Sequence, residues 1–307
     1  MNRTPAALSG GSPRMIGVGG VFIDDIVLPG GETHMASLGG AAVHAMMGAA
    51  VWGERPGIMA PVGRGFPEGC RRLLEQHLDT RGLKRLDVEH MRAWQIFEED
   101  GRRRELYRVE QTEPFIRGLS PADLPCGYDR RAAFYLLQGF DGVRRWRAEI
   151  GGFVLWEPLQ QVMVSASRGD FRSVLRECSV DLVSPNLIEA QAIYGRLSPE
   201  ELVDAMTGDG AAAVALRMGA DGSMVADETT GGPVRVGAAP LAGIVDPTGA
   251  GNTYCGALLA GIVQGDSLRA AAARGAVAAS FCVETWGALM PTAVDRLERD
   301  RRLAAVG

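Results

Sequence analysis

Lysine is all but missing from this chain. Lys84 is the only one, so arginine supplies nearly all of the 32 basic residues, which face 37 acidic ones for a net charge of −5. That balance creates no global positive field, and nucleic acid is not an expected partner. Cysteine is also scarce: Cys70, Cys126, Cys178, Cys255 and Cys282 are odd in number, widely spaced and without a Cys-x-x-Cys pair. Neither a disulfide framework nor a zinc site is implied, and the five read as small core residues of a protein in a reducing compartment. No apolar run approaches the roughly 20 residues of a membrane helix, and residues 1–12 hold no apolar leader segment. The expectation is a soluble, cytoplasmic protein with no membrane partner. Aromatic residues make only 6%, but hydrophobic residues reach 46% of 307, enough for a packed globular body.

Residues 14–24 form a short apolar run broken by glycines and closed by Asp24 and Asp25, which predicts one buried first strand. Gly30-Gly31 marks a reversal, and Gly39-Gly40 leads into an Ala/Met-rich helix over 41–52. A second strand is expected over 58–63, then an amphipathic helix over 67–78 with Leu73, Leu74 and Leu78 on one face. Between 94 and 107, two polar strands flank Asp100-Gly101, the pattern of a hairpin outside the main sheet. Arg102, Arg103 and Arg104 in that hairpin read as a solvated face, the alternative being contact with an anionic ligand. From 132 onward, strands at 133–137, 153–156, 182–183 and 211–216 alternate with helices near 144–150, 171–177 and from Glu189. Such alternation predicts an α/β fold with a mostly parallel central sheet and helices on both faces. No biased linker or internal repeat divides the chain, so residues 1–307 are expected to form a single domain, with lid strands at about 26–37 and 94–108.

The most informative string is Asp246-Pro247-Thr248-Gly249-Ala250-Gly251-Asn252, followed by an apolar stretch to 263. A glycine-rich turn feeding a helix aims several backbone N–H groups outward at its positive end, an anion site suited to phosphate. A lone Gly-x-Gly would be explained by close helix packing, but here the whole string needs an explanation. It resembles the signature of the ribokinase-like, or PfkB, carbohydrate kinases, Asp-Thr-x-Gly-Ala-Gly-Asp, with Pro247 for the first Thr and Asn252 for the final Asp. The resemblance runs along nearly the whole chain. Asp24 matches the family's sugar-binding aspartate and Gly39-Gly40 its di-glycine substrate motif. Asn186 and Glu189 match the Asn-x-x-Glu element that organises Mg²⁺ and its waters, and Arg217, Gly219 and Gly222 lie in a segment like its nucleotide-side loop. Each match has a structural alternative: Asp24 could be a turn residue, and Asn186 with Glu189 could be a helix-capping box. Five elements in the family's order favour the resemblance.

The resemblance implies a ribokinase-like fold and ATP-dependent phosphoryl transfer to a hydroxyl of a sugar or nucleoside-like acceptor, with Mg²⁺. A monovalent cation near Asp246 and a homodimer through the lid both stay open. Gly249, Ala250 and Gly251 would form the anion hole, with Thr248 beside the nucleotide. The family's proton-accepting carboxylate falls at Asn252, whose amide can orient a hydroxyl but cannot take its proton at neutral pH. General-base help is worth about 10²–10⁴ in rate, so a kinase with a weakened base and a non-catalytic nucleotide- or metabolite-binding protein both remain open. A carboxylate placed at 252 would meet the positive helix end and is expected to stay ionised. His44 occupies the position of a sugar-contacting Asn, implying an acceptor other than ribose; with an ordinary pKa near 6.5 it is also a candidate substitute base. Glu157, in Trp156-Glu157-Pro158, reads as a strand-end polar residue near the nucleotide cleft. A dinucleotide-binding dehydrogenase is a distant third reading, because Gly17-Val-Gly-Gly lacks the Gly-x-Gly-x-x-Gly helix entry and its ribose-binding acid.

Overall fold

The computed structural model describes residues 11–99 and 103–306, so Asp100, Gly101 and Arg102 of the expected hairpin, and most of the 1–12 lead, lie outside the described residues. In chain order the elements begin with β1 (Met15–Val18), β2 (Phe22–Val27), β3 (Thr33–Gly39), α1 (Ala41–Ala50), β4 (Gly57–Arg64) and α2 (Glu68–His77). There follow β5 (Asp79–Glu89), β6 (Arg92–Phe97), β7 (Arg103–Tyr107), α3 (Glu113–Arg117), β8 (Ala133–Gln138), α4 (Phe140–Arg147) and β9 (Val154–Pro158). The second half adds α5 (Arg168–Glu177), β10 (Leu182–Val183), α6 (Leu187–Tyr194), α7 (Pro199–Gly208) and β11 (Val214–Arg217). It closes with β12 (Ser223–Ala226), β13 (Val234–Val236), α8 (Ala250–Gln264), α9 (Leu268–Cys282) and α10 (Arg296–Val306).

The central sheet has nine strands in the order β13-β12-β11-β10-β9-β8-β1-β4-β5. It is parallel from β5 through β11 and antiparallel only at the β11–β12–β13 edge. Strand side chains alternate faces, and the two cores obey that period. Met15, Tyr135, Leu155, Leu182 and Ala215 pack toward α1, α8 and α9. Their chain neighbours Ile16, Phe134, Trp156, Val183 and Val214 pack toward α4, α5, α6 and α7. Both faces are therefore covered, which is why these strands are nearly all apolar.

A second sheet, β3-β2-β6-β7, stands apart. Its central pair β2–β6 is parallel, while β2–β3 and β6–β7 are antiparallel. This is the small strand lid expected from the sequence. The first apolar run is divided between the sheets rather than forming one strand. After β1 the chain leaves the central sheet at Gly19-Gly20, where Gly20 O accepts from Ala42 N at 3.2 Å, and re-enters as β2 of the lid. Asp24 and Asp25 thus belong to the lid. Asp25 points to the side of the strand where Arg92 donates at 2.7 Å and Arg108 also pairs with it. Burial alone would raise the Asp25 carboxyl, but Arg92, the Ala36 N–H and Arg108 outweigh it and hold it below the ordinary range.

Other expected boundaries shift by a few residues. The helix near 144–150 begins at Phe140, the strand near 211–216 runs over Val214–Arg217, and the helix from Glu189 starts at Leu187. On α2, Leu74 is buried and Leu73 only partly so. The cysteines divide as well: Cys255 and Cys282 are buried, but Cys126 is exposed, because it falls in the loop before β8 rather than on a sheet face.

One close contact fixes the element that matters most for function. Helices α1 and α8 touch where a Cβ on Gly256 would overlap the backbone carbonyl of Ala45. Only glycine permits that approach, which seats the N-terminus of α8 at the carboxyl ends of β8 and β9.

Candidate active site

A cleft of about 1000 Å³ opens between the lid and the carboxyl ends of the central strands. Ligand sites of open α/β sheets fall in this position. Its lid end is built on β2 and β6. Asp24 is buried there and accepts from Gln95 Nε2 at 3.0 Å, while the same nitrogen donates to Glu105 Oε1 at 2.9 Å. Burial pushes the Asp24 carboxyl up to about 7, with the Gln95 hydrogen bond acting against it. Gln95 Oε1 is buried without a partner. Gly39 closes β3 against the Asp24 carboxylate, and Gly40, at φ 94°, is the N-cap of α1 and lines the cleft. Arg103 and Arg104 are exposed and also line it, so the solvated-face reading and the ligand-facing reading meet in the same residues.

The other end is built on the N-terminus of α8. Gly249 is its N-cap at φ 74°, a left-handed conformation that glycine adopts without strain. Asp246 secures the preceding turn, its two oxygens accepting from Thr248 N and Gly287 N, both at 2.9 Å. His44 lies directly beneath Gly249, where a Cβ would overlap the imidazole. Burial holds His44 down to about 4, and its Nε2 has no partner. The ring is therefore neutral at neutral pH and a weak base, which removes most of the chemical ground for His44 as the substitute base.

Asn186 caps α6, and the capping box is real: Glu189 N donates to Asn186 Oδ1 and Asn186 N to Glu189 Oε2, both at 2.8 Å. The box does not use up the side chain: it and Arg217 engage Oε2, and Glu189 Oε1 has no hydrogen-bond partner among the described residues, on a residue that lines the cleft. Burial raises the Glu189 carboxyl against the opposing charge of Arg217. Among the described residues no group of three or more His, Cys, Asp and Glu side chains could enclose a metal. Of the residues expected on the nucleotide side, Arg217 and Thr248 line the cleft, whereas Gly219 opens a short 3₁₀ turn that Gly222 ends, and neither glycine lines it.

Arg217 is the surprise of this end. Its guanidinium lies against Gly251 and pairs with Glu157 at 2.9 Å and Glu189 at 3.8 Å. Burial works against its charge, but Glu157 and Glu189 more than compensate and raise its pKa. Glu157 is not merely a strand-end polar residue. Asn252 Nδ2 donates to Glu157 Oε1 at 3.0 Å and to Tyr135 Oη at 3.2 Å, and Tyr135 Oη donates to Glu157 Oε2 at 2.7 Å. Tyr135 was invisible in the sequence; its only signal was a phenol in the strand AFYLLQ, which is otherwise apolar up to its closing Gln138.

The fold defines the class of protein. The nucleoside kinase of Methanocaldococcus jannaschii, an archaeal member of the ribokinase family, superposes with a TM-score of 0.74 at 19% identity, covering 96% of this chain and all of that one. The E. coli structure named as a ribokinase II, solved with ATP and Mg²⁺, gives 0.73 at 18% identity over 96% and 99%. The chain thus has the ribokinase-like fold. In sequence, the cytidine kinase of Thermococcus kodakarensis is 25% identical over 287 residues, 89% of this chain and 97% of its own. Residues 157–293, a little under half of the chain, match the pfkB family of carbohydrate kinases.

Proposed function

We propose that this protein transfers the terminal phosphoryl group of ATP to a hydroxyl of a sugar or nucleoside-like acceptor. The observation that carries the reading is one cleft lined both by the buried Asp24 on the lid and by Gly249, Ala250 and Gly251 at the start of α8. Asp24, Gly40 and His44 would receive the acceptor. The N–H groups at 249–251 would hold phosphate oxygens, because the helix end is positive there and needs no reorganisation. Thr248 and Arg217 would lie on the nucleotide side.

Asn186 and Glu189 fit Mg²⁺ in one respect, the Glu189 Oε1 that has no hydrogen-bond partner among the described residues. Bound there mainly through waters and phosphates, Mg²⁺ would neutralise charge on the nucleotide. Two features support a second, non-catalytic reading: residue 252 is an amide, and His44 is a weak base. The exposed Met35 and Leu106 on the lid support a homodimer through that sheet.

Calorimetry with ATP and ADP at millimolar concentration, with and without Mg²⁺, tests the nucleotide site; no binding would end both readings. A phosphate-transfer screen over sugars and nucleosides, in potassium and in lithium buffers, then separates them. Cytidine belongs in that panel because the cytidine kinase relative spans nearly the same length. Transfer to any acceptor selects the kinase, and binding without transfer selects the binding protein.

A further inference from the structure

Asparagine amides have two possible orientations, and here the neighbours choose one. Glu157 is acceptor-only when ionised, and its Oε1 already receives Arg217 at 2.9 Å. The Tyr135 hydroxyl hydrogen is spent on Glu157 Oε2, so the phenol can only accept from Asn252. Both partners therefore demand a donor. The Asn252 nitrogen supplies exactly its two N–H groups, one to each. Turning the amide over would aim its carbonyl at a carboxylate and a lone pair. With the nitrogen held inward, Asn252 Oδ1 has no hydrogen-bond partner among the described residues, on a residue that lines the cleft.

Resting on the kinase reading above, we propose that Glu157 is a positioning residue: with Tyr135 it uses both amide protons of Asn252 and holds the Asn252 carbonyl oxygen toward the acceptor hydroxyl. A carboxylate is thus present beside the signature helix, but it comes from β9 and acts through the amide. Arg217 extends the same unit to the phosphate end, since its guanidinium pairs with Glu157, donates to Ser184 O at 3.0 Å and occupies the space that a Cβ on Gly251 would need. Hydroxyl orientation and phosphate contact are thereby coupled through one buried ion pair.

The test has two readouts. Hydrogen exchange of the Asn252 side-chain amide, assigned by its loss in Asn252→Asp, is followed by ¹⁵N-resolved NMR. Glu157→Gln and Tyr135→Phe should each speed it by roughly tenfold, as expected for losing one net hydrogen bond. Tyr135→Phe leaves the Glu157–Arg217 pair intact, so it decides the matter even where Glu157→Gln folds poorly. Both variants should also lower kcat, by about ten- to a hundredfold as for a misplaced reacting group, with KM for ATP within about twofold. Unchanged exchange in Tyr135→Phe overturns the proposal, and so does faster exchange with an unchanged kcat. A wild type that transfers to no acceptor refutes the kinase reading instead, while the exchange readout still decides whether Glu157 and Tyr135 hold the amide.

Discussion

Placing a carboxylate at position 252 by Asn252→Asp should not create an ordinary base. The new oxygen would replace Nδ2, which lies 3.0 Å from Glu157 Oε1. At an effective dielectric of about 20, two charges at that separation repel by about 5 kcal/mol. Arg217 and the positive end of α8 offset part of this, and protonation caps the rest. Holding a proton on an ordinary carboxylate three units above its pKa costs about 4 kcal/mol at pH 7. The two carboxylates should therefore share a proton, as closely placed pairs do. In the folded state their shared pKa is raised, so the folded protein binds more protons than the unfolded one. The variant's stability then falls as pH rises above the ordinary carboxylate range. We expect a loss of about 2–4 kcal/mol by pH 8 relative to wild type, read from urea midpoints. Transfer at pH 7 should stay at or below the wild-type rate and rise only at higher pH. The exchange variant Glu157→Gln with Asn252→Asp leaves one carboxylate and should outpace both single variants at pH 7. A single Asn252→Asp substitution that raises the rate at pH 7 by the 10²–10⁴ of a free general base would refute the reasoning.

Asp24, pushed up to about 7, keeps its proton in the folded state where the unfolded chain has lost it. Its contribution therefore declines as pH rises from about 4 to 7, by up to about 4 kcal/mol, and Asp24→Asn should flatten that slope; identical urea-midpoint profiles for the two proteins would refute it. Gly249→Ala should cost at least about 2 kcal/mol and most ATP affinity, because its Cβ overlaps the His44 ring at a left-handed backbone position. His44→Ala in the same chain should recover part of the binding, and calorimetry that finds Gly249→Ala binding ATP normally would count against the geometry. Arg217→Met leaves Glu157 and Glu189 buried without their cation. Thermal unfolding should show a loss of about 3–5 kcal/mol, and a loss below about 1 kcal/mol would show that the pair is not the anchor described.

How much of this was written locally can be judged from particular residues. The turn at 246–252 and the apolar helix after it are local: glycine is needed at Gly249 for a left-handed N-cap, and any chain entering a helix that way exposes amides. The Asn186–Glu189 capping box is local too, three residues apart. Strand alternation and its helices likewise follow from short-range periodicity, which is why the mostly parallel sheet was legible, although its edge strands β5, β12 and β13 were not expected and other boundaries moved. What sequence could not carry is whatever depends on distant chain segments or on exclusion of water. The first apolar run crosses from one sheet to the other because tertiary pairing claims Met15–Val18 and Phe22–Val27 separately. His44 loses its basicity, and Asp24 gains its proton, through burial that no neighbouring residue announces. Asn252 meets Tyr135 and Glu157 across separations of 117 and 95 residues. The sequence placed an amide at the start of α8; the packing of β8 and β9 against that helix decided which way the amide faces and what charge stands behind it, because hydrogen-bond direction and desolvation arise only when those strands and that helix come together.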